Sequence, residues 1–171
     1  MAQRDFTAPV KTISQRAVLD TKAFIKYLHK IIKERHYHDA MEHSHSESTS
    51  DDGSKSISFY WTAKKKVSNY VKLVLEISFS ANVKNVSIEK DGKKKLAQDG
   101  NITIELGGYI QKDYEDEWTV RKNNPLRKVL REVYDKIFDR DRMANAENQL
   151  VKDIDLLINE IKAYVKMQRI D

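Results

Sequence analysis

Val71 to Phe79 reads VKLVLEISF, and Val71, Leu73, Leu75, Ile77 and Phe79 fall at every second position. That period belongs to a strand with one buried face, because successive side chains of an extended chain point to opposite sides. Val74 is the apolar residue on the other face. Upstream, Ile57, Phe59, Trp61 and Ala63 alternate with polar neighbours in the same way. Downstream, Val86 and Ile88 lead into Asp91-Gly92, a dipeptide that supplies the positive φ angles of a two-residue hairpin turn. Asp99-Gly100 repeats the signal before Ile102, Ile104 and Leu106. The middle of the chain therefore predicts an antiparallel meander. Gly107-Gly108 interrupts the last alternation, which predicts a bulge or bend before Tyr109, Ile110 and Trp118, with the sheet curving there.

Helical spacing flanks this meander. Val10 to Leu19 fits a short strand, with Ile13, Ala17 and Leu19 on one side, and fits a helix nearly as well; Asp20 then stands as an N-cap. Phe24, Leu28, Ile31 and Ile32 then recur with the 3.6-residue period of an amphipathic helix reaching about Arg35. Near the other end, Asn124-Pro125 has the form of a helix start, and Leu126, Val129, Leu130, Val133, Tyr134, Ile137 and Phe138 make one stripe. A charged break at Asp139 to Arg142 separates it from a second helix with Leu150, Ile154, Leu157, Ile158, Ile161 and Val165 buried. Ser44 to Lys55 (SHSESTSDDGSK) lacks any large apolar residue and reads as a mobile polar loop.

The fold class implied is α+β: a curved antiparallel β-meander covered on one face by an N-terminal helix and two C-terminal helices, in one domain spanning 1–171. In element order this resembles the helix-grip arrangement, where a long terminal helix lies against a bent antiparallel sheet and a cavity can form between them. The resemblance rests on order alone and brings no site residues with it.

Composition narrows the function classes. With 171 residues, 40% hydrophobic and 33% charged, the chain is long enough and apolar enough to bury a core. The absence of cysteine excludes disulfides, thiolate catalysis and thiolate zinc sites. No window approaches the roughly 18 uninterrupted apolar residues of a membrane span, and Met1 to Val10 has no apolar signal core, so a cytoplasmic protein without membrane attachment is expected. The net charge of +5 is segmental: +5 over 1–36, −5 over 37–54, +7 over 55–98, −3 over 99–124 and +1 over 125–171.

Four groupings of residues carry candidate chemistry. Lys22, Lys26, Lys30 and Lys33 form the polar stripe of the first helix, and Lys64, Lys65, Lys66 with Lys93, Lys94, Lys95 add two clusters. Together they suggest a phosphate- or nucleic-acid-binding face, with Tyr60 and Tyr70 as stacking rings, set against the plainer role of lysines that solvate a helix and blunt strand edges. His36, His38, His43 and His45 form two His-x-His pairs, which a hairpin at Asp39 to Glu42 would bring together as a zinc or nickel site. Trp61 and Trp118, with Phe59 and Phe79, would line an apolar cavity or else fill the core. Asp113, Glu115, Asp116 and Glu117 crowd beside Tyr114 and Trp118 as ligands for a hard cation or as general acid and base.

The glycine-rich phosphate loops, the H-E-x-x-H metal motif and the G-x-S-x-G elbow are all missing. A non-catalytic binding or interaction domain is the expectation. Its alternatives are a nucleic-acid or phosphate binder using the lysines, and a carrier of an apolar ligand between the sheet and the C-terminal helix. Leu150, Ile154, Leu157, Ile161 and Tyr164 also fit a coiled-coil seam, so a partner protein or a homodimer through that helix is a further expectation.

Overall fold

A computed structural model describes residues 3–68, 70–90, 93–112 and 140–167, with backbone alone at Gln3, Asp5, 88–90, 93–95 and Arg140. Five strands, β1 (Gln3–Leu19), β2 (His38–Thr49), β3 (Ser54–Lys66), β4 (Val71–Lys90) and β5 (Lys93–Lys112), make one antiparallel sheet in the order β1-β5-β4-β3-β2. Two helices are described, α1 (Thr21–Glu34) and α2 (Arg140–Met167). The fold is α+β, as the spacing predicts. The chain opens with a 17-residue edge strand, however, so the first helix is an internal crossover that carries the chain from one edge of the sheet to the other. The helix expected over 125–138 lies outside the described residues.

Local chemistry explains each boundary. Asp20 accepts from the backbone N–H of Lys22 at 2.9 Å and of Ala23 at 3.1 Å, satisfying donors that the first turn leaves open. At the other end His36 adopts φ +61°, which stops the helix, and Tyr37 N–H reaches back to Ile32 O at 3.3 Å. Residues 44–55, expected as a loop, are instead mostly paired backbone, with Glu47 opposite Ile57 and Ser46 opposite Ser58. The turn itself is short: Asp52 accepts from Ser54 N–H at 3.1 Å, and Gly53 sits at φ +79°.

The glycines of β5 have other roles than those expected. β4 and β5 pair without a register shift from Val71 opposite Lys112 to Lys90 opposite Lys93, so Asp99-Gly100 is no turn and Gly107-Gly108 no bulge. The irregularity falls on the partner strand, between Ala8 and Lys11 of β1. Gly100 is required because a Cβ there would stand 2.0 Å from Asn82 O, and Gly108 because its Cβ would meet Val74 O at 2.6 Å and Leu150 Cδ1 at 3.1 Å. Asp91-Gly92 lies outside the described residues.

Both helices press on the same face of the sheet. Phe24 of α1 meets Phe79 of β4 and Tyr164 of α2 at ring separations of 5.7 and 5.6 Å, while Phe59 stacks on Phe79 and on Trp61 at 4.8 and 4.2 Å. Leu150, Ile154, Leu157, Ile158, Ile161 and Val165 of α2 are buried against the strands. The seam offered for a coiled-coil dimer is therefore covered by the protein's own sheet. Among the described residues no helix is long and apolar enough to cross a membrane.

Candidate functional site

Hollows lie at the rims of this stack, because the aromatic rings occupy its centre. One, of about 370 Å³, is bounded by Val67, Tyr70 and Val71 at the β3–β4 connection and by Arg142, Ala146 and Gln149 of α2. It opens next to the start of α2. A second, of about 550 Å³, opens between the first turn of α1 and the sheet. Its walls can be followed residue by residue.

α1 contributes Thr21 and Ile25, four apart and so on one side of the helix, and His29 continues that side into a smaller hollow of about 90 Å³. The facing wall is β2, whose Glu47 and His45 line the larger hollow and whose Glu42 and Ala40 line the smaller. Glu42 and His45 share a side only because the β2–β3 register shifts between Glu42 and Ser44, placing Glu42 opposite Trp61 and His45 opposite Phe59. The floor is Ile57, with Ala97 and Leu96 at the end of the cleft. Leu96 is 81% exposed, so a large apolar side chain stands open to solvent at the rim.

Polar contacts hold the walls. Trp61 Nε1 donates to Glu42 Oε2 at 2.8 Å, and the Trp61 ring lies 4.3 Å from that of His29. Thr21 Oγ1 donates to the side-chain oxygen of Gln98. Lys55 Nζ stands 3.7 Å from Glu47, and His45 Nδ1 stands 3.8 Å from Glu42, beyond hydrogen-bond range. Lys22 and Lys55 balance Asp20 and Glu47, which leaves the lining close to neutral. The cleft therefore offers apolar contact over its floor and hydrogen bonds around its mouth.

The residues singled out from sequence are distributed differently. His38, His43 and His45 sit along a single strand and His36 precedes it, so the hairpin at Asp39 to Glu42 that would have gathered them does not form. His43 instead bonds Thr62 Oγ1 at 2.8 Å, and no group of three or more metal-ligating side chains gathers among the described residues. Lys22, Lys26, Lys30 and Lys33 are exposed on α1, and Lys30 lies 3.8 Å from Glu34. Lys64 and Lys66 point to the opposite side of the sheet, since β3 alternates and Ala63 faces the helices. The lysines thus divide between two surfaces.

Lys65 turns inward. Its Nζ lies 3.0 Å from Asp153 of α2, and Tyr37 donates to the same carboxylate oxygen at 3.1 Å. Burial, and then the Asp153 carboxylate, push the Tyr37 hydroxyl far above the ordinary phenol range. Trp61 is buried against Phe59, and what it lines is the smaller hollow of about 90 Å³ beside His29 and Glu42. The side chains of Lys93, Lys94 and Lys95, together with Trp118 and the acidic run at Asp113, Glu115, Asp116 and Glu117, lie outside the described residues. Ile25, Leu96 and Glu42 were not singled out in sequence as site residues; the signal that points to Leu96 is a leucine just after three lysines, in phase with Ile102, Ile104 and Leu106 of β5.

No family model and no curated protein matches the chain. Among solved structures it aligns with a point mutant of norcoclaurine synthase from Thalictrum flavum in complex with a transition-state analogue, at 10% identity over 91% of this chain and 99% of that one, with a TM-score of 0.17. A likeness at that score carries no argument about fold or function.

Proposed function

We propose that the protein is a non-catalytic binding domain that holds a small amphipathic molecule in the cleft between α1 and β2. The observation that carries this reading is the apolar lining of Ile25, Ile57 and Leu96, open to solvent within a ring of balanced charge. A volume of about 550 Å³ suits a ligand of drug size. The polar groups at the mouth are hydrogen-bonding and charge-paired, which supports orientation of a ligand rather than bond-making. An apolar carrier with its cavity between sheet and C-terminal helix receives less support, because Phe24, Phe59, Phe79 and Trp61 occupy that interior.

A neutral apolar fluorophore, N-phenyl-1-naphthylamine, tests the reading. Saturable fluorescence enhancement with one probe per chain is expected. Leu96→Asp, at an exposed position where folding is insensitive to the change, should weaken it by about tenfold, since burying a leucine is worth about 1.5–3 kcal/mol. A flat titration on folded protein, or identical binding by the variant, would show the cleft to be unused.

A further inference from the structure

The side of the sheet turned away from both helices bears a second, chemically different surface. Strand alternation puts Tyr60 and Lys64 of β3 there, and the register places Tyr109 of β5 opposite Val74 of β4, which in turn lies opposite Lys64. Val74 is fully buried yet stands apart from the helix-side core, so the outer side chains close over it. The Arg4 guanidinium lies 3.9 Å above the centre of the Tyr109 ring. Tyr60 donates to Glu76 at 2.8 Å and has the His43 ring 5.3 Å away. Burial, and then that carboxylate, raise the Tyr60 hydroxyl to about 12, so its ring stays uncharged across the physiological range.

We infer that this outer face binds single-stranded nucleic acid, with bases stacking on Tyr60 and on the Arg4–Tyr109 pair and phosphates meeting Arg4 and Lys64. Two features support the choice of occupant. Aromatic rings displayed on an antiparallel sheet, and guanidinium planes laid on them, hold unpaired bases irrespective of sequence. The cations beside the rings match the charge of a phosphate backbone; of the carboxylates on this face, Glu76 is engaged by the Tyr60 hydroxyl, and Glu105 is exposed on β5 across β4 from Tyr60, four residues from Tyr109. An extended strand crossing from β3 to β5 would pass both rings, because only β4 separates them. The helical lysines take no part, being on the other side of the molecule. The surface is independent of the cleft, so either site can exist without the other.

The test is fluorescence anisotropy of the full chain with an end-labelled oligouridine of about one site size, on the order of 12 nucleotides. Binding at low salt that weakens linearly with the logarithm of salt concentration is expected. Tyr60→Ala and Tyr109→Ala should each weaken it by about tenfold. Arg4→Glu, at an exposed position, should do so without touching the fold, whereas Lys162→Glu on α2 should leave it unchanged. Absence of binding at low salt, equal loss with Lys162→Glu, or a duplex that competes as well as the single strand would overturn the inference. Capture by vesicles of anionic lipid, with no binding of the oligonucleotide, would overturn it as well.

Discussion

Lys65 is a cation held between a sheet and a helix, largely out of water, and its stability there depends on one carboxylate. Bringing two charges into such a place is costly, and their attraction offsets the cost only while both are present and hydrogen-bonded. Asp153 receives both Lys65 and the Tyr37 hydroxyl, so its loss strands a cation and a phenol at once. Asp153→Ala should lower unfolding free energy in urea by about 3–5 kcal/mol, while the double change Lys65→Met with Asp153→Leu should come close to the parent. A single variant as stable as the parent would show that water reaches the pair. Lys65 belongs to a lysine run that reads as exposed charge, yet the alternation through Phe59, Trp61 and Ala63, carried one step further, points it inward. What the sequence could not supply was the partner, since Asp153 is far along the chain and meets Lys65 only through α2.

At the scale of elements, legibility follows from how much each one buries. α1, α2 and the inner strands bury one side each, and their periods of 3.6 and 2 appear directly in the residue pattern. β2 buries nothing along its entire length, so its strand character rests on backbone pairing with β3, which leaves no mark on side-chain polarity. The α1–β2 cleft was hidden for the same reason, because one of its walls is that silent strand. Gly108 shows the opposite case, a residue whose need arises only from its neighbours: a Cβ there would stand 2.6 Å from Val74 O of β4 and 3.1 Å from Leu150 of α2. Gly108→Ala should cost about 1–3 kcal/mol through forced displacement. Hydrogen exchange should locate the loss at the β4–β5 pairing around Val74 and in the part of α2 around Leu150, and unchanged exchange at both would mean that strand and helix do not close on Gly108 as described.

The whole molecule combines a filled interior with two unlike surfaces, an apolar-floored cleft on the helix side and a ringed, cationic face behind the sheet. Stacked rings at the centre leave recognition to the rims, which is why the aromatic residues most visible in sequence, Phe59, Trp61 and Phe79, turn out to be core. The central claim is that a small ligand enters between α1 and β2 and not between the sheet and α2. Amide chemical-shift mapping with N-phenyl-1-naphthylamine tests it most directly. Shifts grouped at Thr21, Ile25, His45, Ile57 and Ala97, with Phe79, Leu106 and Leu150 unmoved, are the predicted result; shifts centred on those interior residues and on α2 would contradict it.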